Sequence, residues 1–230
     1  MKMPLVIAID GPAGAGKSTV AQMLAKRLRL SYVDSGASYR AAAWVAIESG
    51  IEPDDEPGVA EAVARMELQF RMAQDQPRVF VNGRDVTARI RAPEVTSAAS
   101  RVSRLPAVRR RLIAFQRAFA AGRGVVMEGR DIGTVVFPDA PLKIYLDADP
   151  QERARRRLDQ NRQEGAASTL ERTASEIAWR DQLDAQRNIS PLVAASDAHR
   201  MDSTRLTAEQ VVERILALAR EKKLLENENA

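Results

Sequence analysis

Short apolar runs and stretches of helical spacing take turns along this chain. Leu5–Ile9 is a continuous apolar run of strand length, as expected for a strand buried on both faces. From Lys17 to Leu28 the apolar residues recur at three- and four-residue spacing, which predicts a helix. Ser31–Val33 reads as a second short strand, and an apolar helix from about Ala37 to Glu48 follows until Ser49-Gly50 stops it. Beyond the acidic, proline-containing loop Glu52–Gly58 a helix is predicted from about Val59 to Met66. The periodicity then changes. Glu67–Met72 and Arg78–Val81 read as strands around the turn Ala73–Pro77, Asn82-Gly83 is a hairpin signal, and Asp85–Thr87 is a third short strand.

Helical spacing resumes from Pro93 to Arg104, is broken at Leu105-Pro106, and restarts at Pro106 to run to Ala121. After the turn Gly122–Gly124, the strand Val125–Met127 ends at Glu128-Gly129-Arg130-Asp131, and the strand Leu142–Leu146 ends at Asp147. The helix Pro150–Arg162 carries Arg153, Arg155, Arg156 and Arg157; Gly165 marks a hinge or cap, and a second arginine-bearing helix runs from Ser168 to about Arg187. Ala198–Met201 is a last short strand. Thr207 with Gln210 forms a capping box for a final helix reaching about Lys223, and Leu224–Ala230 is expected to fray. Strands alternating with helices predict an α/β fold with a mostly parallel sheet covered on both faces, and ligands at the carboxyl ends of its strands. The patch from Glu67 to Arg91 reads as an antiparallel insertion into a mononucleotide-binding core.

Composition narrows the chemistry. The 230 residues are 45% hydrophobic and 29% charged, which suits one domain with an elaboration, or one and a half domains. Cysteine is absent and His199 is the only histidine, so disulfides, thiolate chemistry and a multi-histidine metal centre are excluded. Met1–Pro4 leads straight into the first strand without a secretory pattern, and no run of 18 apolar residues exists; the expectation is a soluble, cytoplasmic protein with no membrane partner. A net charge of +4 is too small to imply nucleic acid by itself. Arginine heavily outnumbers lysine. That excess reflects either a coding bias or the use of a planar fork to grip phosphate.

The loop GPAGAGKS, from Gly11 to Ser18, fits the pattern G-x-x-x-x-G-K-[ST] between a predicted strand and a predicted helix. In that setting Gly11, Pro12, Ala13, Gly14, Ala15 and Gly16 would wrap phosphate oxygens, with Lys17, Ser18 and Thr19 opening the helix whose N-terminus adds its field. Lys17 would reach the β- and γ-phosphates and Ser18 would take Mg²⁺. The bland alternative is a glycine-rich turn with an incidental lysine. Glu128 either holds a Mg²⁺-bound water or is an ordinary loop carboxylate; Asp10 is a second candidate for that water.

Polar clusters fall on four predicted strand ends: Gly11–Ser18, Asp34–Arg40, Glu128–Asp131 and Asp147. Arg40 lies about one helical turn beyond Ser35, so the two can hold an anion together. Arg130 and Asp131 set a donor fork beside an acceptor. Arg180, Asp184 and Arg187 share one helical stripe, which either grips phosphate while selecting a hydroxyl or is a solvated face laced by ion pairs. No N-K-x-D motif is found, which argues against a guanine-reading switch. A small-molecule kinase is the economical reading, with the arginine-bearing helices closing to exclude water.

Several blocks together resemble the bacterial cytidylate kinases: IDGPAGAGKST (Ile9–Thr19), YVDSGASYRA (Tyr32–Ala41), Ala98-Ala99-Ser100, GRDIGTVVFPDAP (Gly129–Pro141) and RDQLDAQRNISPL (Arg180–Leu192). The resemblance covers roughly Leu5 to Arg220. It implies a P-loop nucleoside monophosphate kinase fold, a five-stranded parallel sheet flanked by helices with a small antiparallel insert. It implies a core of residues 1–36, 105–149 and 188–230, a monophosphate-binding region 37–104 with the insert at 67–91, and a lid with its adjoining helices at 150–187.

The activity implied is transfer of the γ-phosphoryl group of ATP, with Mg²⁺, to CMP or dCMP by a monomer with no nucleic-acid partner. Ser35, Gly36, Arg40, Arg130 and Arg187 would surround the acceptor phosphate. Ser100, Arg109 and Asp131 would read cytosine, and Arg180 and Asp184 the sugar. Lys17, Arg130, Arg187 and Arg156, or a neighbour of Arg156, would act on the transferring group. Ser18 and Glu128 stand where relatives vary. The alternatives are another small P-loop kinase (UMP/CMP, adenylate or shikimate type) and a nucleotide-binding RNA-associated module. His199 reads as structural or exposed, and Trp44 and Trp179 as packing residues.

Overall fold

The structure, a computed structural model, describes residues 4–73, 76–163, 167–187 and 189–225. Gln74 and Asp75 of the expected turn, Gly165, expected as a hinge or cap, and residues 226–230 of the end expected to fray lie outside the described residues, whereas Leu224 and Leu225 of that end pack against the core of their unit. Among the described residues, eight strands and eight α-helices follow in the order β1 (Val6–Asp10), α1 (Lys17–Leu28), β2 (Ser31–Asp34), α2 (Ser35–Glu48), α3 (Glu56–Arg65), β3 (Leu68–Ala73), β4 (Gln76–Val81), β5 (Arg84–Asp85), α4 (Pro93–Val102), α5 (Pro106–Ala120), β6 (Val125–Gly129), β7 (Leu142–Asp147), α6 (Pro150–Gln163), α7 (Leu170–Ala185), β8 (His199–Asp202) and α8 (Ala208–Glu221). A 3₁₀ turn at Arg89–Arg91 and one π-helical turn at Ile132–Val136 complete the described elements.

The parallel sheet has the order β2-β6-β1-β7-β8. Ile9 pairs with Glu128 on one side and with Ile144 on the other, so the polar ends of β1, β6 and β7 finish at one edge. β3, β4 and β5 make the separate antiparallel sheet, with β5 at Arg84–Asp85, directly after the Asn82-Gly83 turn.

Two compact units divide the chain: Val33–Phe119, and the residues on both sides of it. The flanking unit has a core of Ile7, Ile9, Leu24, Ile144, Val212 and Ile215. Strand residues buried on both faces meet the apolar stripes of α1 and α8 there, as helix-covered parallel sheets require. The Val33–Phe119 unit has its own core, in which Ala41, Ala42, Ala43 and Ala46 of α2 lie with Val59, Val95 and Leu112. Small side chains let the neighbouring helices come close. Trp44 belongs to this core at 8% exposure, whereas Trp179 is 54% exposed. The packing role expected of Trp179 is therefore corrected: α7 buries Thr173, Ile177 and Asp184, and two residues past Ile177 is the opposite side of a helix.

Asp10 ends β1 with both carboxylate oxygens engaged. Oδ1 accepts from Ile132 N at 2.8 Å and Oδ2 from Gly133 N at 2.7 Å, which pins the π-turn after β6. Burial outweighs these two bonds and pushes the Asp10 carboxyl up from 3.8 to about 6. The folded chain therefore keeps this proton to higher pH than the unfolded chain does. The contribution of Asp10 to stability falls as pH rises between those two values, by about 3 kcal/mol at most. Unfolding free energies measured from pH 4 to 7 should show this slope in the unaltered chain and lose it in Asp10→Asn.

Helix α8 begins with the expected capping box. Thr207 Oγ1 accepts from Gln210 N at 3.2 Å, and Gln210 Oε1 accepts from Thr207 N at 2.9 Å. Thr207→Ala should cost about 1 kcal/mol of stability in urea unfolding.

Candidate functional site

The donor loop lies between β1 and α1. A Cβ on Gly11 would stand 1.9 Å from the Leu146 carbonyl oxygen, and one on Gly14, at φ +77°, would stand 2.6 Å from the Arg153 carbonyl oxygen. The loop can lie this close to its neighbours only with glycine at both places. Gly16 caps α1 without a side-chain hydrogen bond, and the first turn of α1 holds no acidic residue. That leaves a helix N-terminus suited to an anion.

Lys17 is 6% exposed, and its Nζ donates to the Pro12 carbonyl at 2.7 Å. Burial first, and then the Arg130 charge, pull the Lys17 ammonium down to about 7; Glu128, Asp10 and Asp181 pull the other way. Ser18 Oγ donates to Glu128 Oε1 at 2.5 Å, and the Tyr32 hydroxyl donates to the same oxygen at 3.4 Å. A hydroxyl at the start of the loop helix beside a carboxylate on the next strand is a donor set that Mg²⁺ accepts. This ion keeps several waters and takes few protein groups when phosphates supply the rest. Among the described residues no group of three or more His, Asp or Glu side chains forms a dedicated metal cage. Asp10, whose oxygens both hold the π-turn, acts as a brace.

Helix α6 brings two arginines to this loop. Arg153 is 9% exposed; its Nη1 donates to the Ala13 carbonyl at 3.1 Å and its Nε to the Ala148 carbonyl at 3.1 Å. Arg156 donates from Nε to Glu152 at 2.9 Å, from Nη1 to Ser203 Oγ at 3.0 Å and from Nη2 to the Ser203 carbonyl at 2.7 Å. Ser203 Oγ in turn donates to the Ala15 carbonyl at 3.1 Å. Arg157 donates to Gln160 on its own helix. The sequence alone does not mark Ser203 or Arg153 as loop partners. Ser203 follows β8 with no motif around it, and the arginine spacing of α6 did not distinguish Arg153 from its neighbours.

An arginine cluster stands at the end of β6 in the same unit. Arg130 Nε donates to Asp184 Oδ2 at 2.8 Å, and Arg187 bonds to the other oxygen of that carboxylate. Burial works against the Arg130 charge, but Asp184, with Glu128 and Asp181, outweighs it and holds the guanidinium pKa above its usual value. Asp184 is only 7% exposed, so the Arg180–Arg187 stripe is not a solvated face at that residue. Arg180 is half-buried one turn earlier. Asp131 is buried, and its carbonyl accepts from Val135 N and Val136 N, which starts the π-turn.

In the Val33–Phe119 unit, Asp34 caps α2. Its Oδ1 accepts from Ala37 N at 3.1 Å, and its Oδ2 pairs with Arg40 at 2.6 Å. Burial would raise the Asp34 pKa, yet Arg40 and, beyond it, Arg91 hold it below the usual value. Ser35 opens the helix and is buried, and Gly36 leaves room for the Arg40 guanidinium, 3.0 Å from where a Cβ would stand. The Arg109 side chain is fully buried. It lies 5.4 Å from the Tyr39 ring centroid and donates to the Ser103 carbonyl at 3.2 Å. The Ser100 carbonyl accepts from Ser103 Oγ at 3.0 Å. Thus Ser35, Gly36 and Arg40 gather at the start of α2, while Ser100 and Arg109 lie on either side of Ser103.

The family model described as cytidylate kinase matches residues 7–221. The chain is 50% identical over 212 residues to a cytidylate kinase of Pelotomaculum thermopropionicum, covering 92% of this chain and 94% of that one. It is 48% identical over 216 residues to one of Azotobacter vinelandii, covering 93% and 94%. Among solved structures, an uncharacterized protein from Eubacterium ventriosum shares the fold at a TM-score of 0.51 and 12% identity, over 93% of this chain and 97% of the other. With a family model spanning nearly its whole length, and relatives near half identity, this chain belongs to the cytidylate kinase family.

Proposed function

We propose that this chain transfers the γ-phosphoryl group of ATP to CMP or dCMP, giving ADP and CDP or dCDP. One observation carries the reading beside family membership: β6 brings two machineries within two residues of each other. Glu128 bonds Ser18 of the donor loop, and Arg130 bonds the Asp184–Arg187 cluster. Phosphoryl transfer needs a held triphosphate and positive charge at the acceptor, and this strand serves both.

In this reading Gly11–Thr19 holds ATP and Lys17 lies along its phosphates. Ser18 and, through water, Glu128 hold Mg²⁺, which when bound offsets the phosphate charge. Arg130 and Arg187 take the acceptor phosphate once Asp184 turns toward the sugar with Arg180. Asp131 accepts from the cytosine amine. From the other unit, Ser35, Gly36 and Arg40 are assigned to the acceptor phosphate, and Ser100 and Arg109 to the base. An acceptor phosphate oxygen is already anionic, so no general base is needed. This agrees with a chain whose one histidine, His199, lies on the last strand of the sheet. Residues 150–187 act as lid and adjoining helices, with Arg156 or its neighbour Arg153 supplying charge to the transferring group. The protein works as a cytoplasmic monomer on small-molecule substrates, without a nucleic-acid or membrane partner. Among the described residues no helix is long and apolar enough to cross a membrane.

Rates over a panel of CMP, dCMP, UMP, AMP and shikimate should favour CMP and dCMP; a clear preference for any other acceptor overturns the reading. Salt-sensitive RNA binding without CMP-dependent ADP release would favour the RNA-associated alternative instead. Lys17→Ala should lower turnover by roughly 100-fold or more while the melting temperature is retained, because it removes charge from the transition state. Asp184→Ala should raise the KM for CMP well above any change in the KM for ATP, as steady-state kinetics with each substrate varied will read.

A further inference from the structure

Helix α7 carries a second carboxylate, one turn before Asp184, for which the proposed reaction has no role. Asp181 Oδ1 accepts from the Ala13 backbone N–H at 3.2 Å, and its Oδ2 pairs with Arg153. The same Arg153 guanidinium donates to the Ala13 carbonyl at 3.1 Å. A protein carboxylate thus sits on an N–H of the loop that the sequence pattern assigns to phosphate oxygens, with a guanidinium as its counter-ion. Carboxylate and phosphate oxygens suit the same donors, namely backbone N–H groups and the guanidinium fork. Three residues on, Asp184 occupies Arg130 and Arg187 in the same manner. One helix therefore lends carboxylates to the donor loop and to the acceptor arginines.

We propose that the Asp181 carboxylate is a resident counter-anion of the donor loop: it holds the Ala13 N–H and Arg153 in position while no nucleotide is bound, and the triphosphate displaces it. This inference rests on reading Gly11–Ser18 as the ATP-binding loop. Displacement matters because Asp181 and Asp184 share a helix. When phosphate takes the Ala13 N–H, Asp181 is released and α7 loses an anchor on the loop, which frees the turn bearing Asp184 and Arg187 to receive the acceptor. Arg153, relieved of the Asp181 carboxylate, keeps Asp147 at 3.9 Å as its acidic neighbour and turns its uncompensated charge toward the terminal phosphate. Asp181 is thus a positioning residue whose charge competes with the donor.

The test compares the unaltered chain with Asp181→Asn in direct calorimetric binding of the non-hydrolysable donor β,γ-imido-ATP with Mg²⁺, and in steady-state kinetics. Removing a competing negative charge at contact distance should tighten analogue binding about tenfold. The KM for ATP should fall in parallel, and CMP should bind the free enzyme about twofold or more tighter, because the weakened anchor frees the turn bearing Asp184 and Arg187 without nucleotide. Unchanged or weaker analogue binding in Asp181→Asn overturns the proposal, because a merely structural carboxylate would lower the melting temperature without tightening ATP. If the unaltered chain itself fails to bind the analogue, the donor-loop reading fails instead, and the two failures are told apart. A crystal structure of the unaltered chain with β,γ-imido-ATP decides the matter should Asp181→Asn not fold. A phosphate oxygen on Ala13 N with Asp181 withdrawn supports displacement, and Asp181 still bonded to that N–H refutes it.

Discussion

Parallel pairing of β1 with β6, in the register Ile9 opposite Glu128 and Asp10 opposite Gly129, is the constraint on which the rest of the donor site depends. It ends two strands together, so that the loop leaving β1 and the polar run leaving β6 start from the same edge. Ser18 and Glu128, 110 residues apart in sequence, then meet at 2.5 Å. The Asp10 carboxylate reaches across the same edge to the N–H groups of Ile132 and Gly133 and fixes where Arg130 and Asp131 leave the strand. A slip in this register would separate the loop hydroxyl from its carboxylate and the brace from its turn, because successive residues of a strand face opposite sides.

Charge is balanced internally throughout the site. Lys17, Arg130, Arg153 and Arg187 lie within one unit, and bringing such cations together out of water is costly unless anions accompany them. Glu128, Asp181 and Asp184 provide that balance. The depressed Lys17 ammonium reports how far burial and the neighbouring arginine go toward discharging it. These carboxylates and guanidiniums pair with one another, so the charges that the fold brings together are compensated from within the chain. The pair Asp34 and Arg40 at the start of α2 follows the same logic in the other unit.

Much of the fold was legible because it rests on local patterns. The apolar runs of β1, β6 and β7, the Asn82-Gly83 turn and the Thr207–Gln210 capping box all appear where spacing and turn chemistry put them. Helix starts were less legible: α2 begins at Ser35, because the Asp34 side chain caps it, and α3 begins at Glu56, with Asp55 as its cap and Pro57 in its first turn. The π-turn at Ile132–Val136 had no local signal, since the Asp10 carboxylate that anchors it comes from a distant strand. Trp179 shows the converse, a large apolar residue that composition assigns to a core and helix phase turns outward.

By itself the sequence determined the element order, the phosphate-loop pattern with Lys17 and Ser18, and the blocks that mark the family, because each depends on residues close together in the chain. It could not assign partners to charges. Which of the arginines on α6 reaches the loop, which carboxylate takes the Ala13 N–H, and which N–H groups the Asp10 carboxylate holds were decided only by tertiary structure. The physical reason is that an ion pair or a hydrogen bond between distant segments is selected by where strand ends and helix faces come to rest, and spacing along one helix carries no information about what the other segment presents.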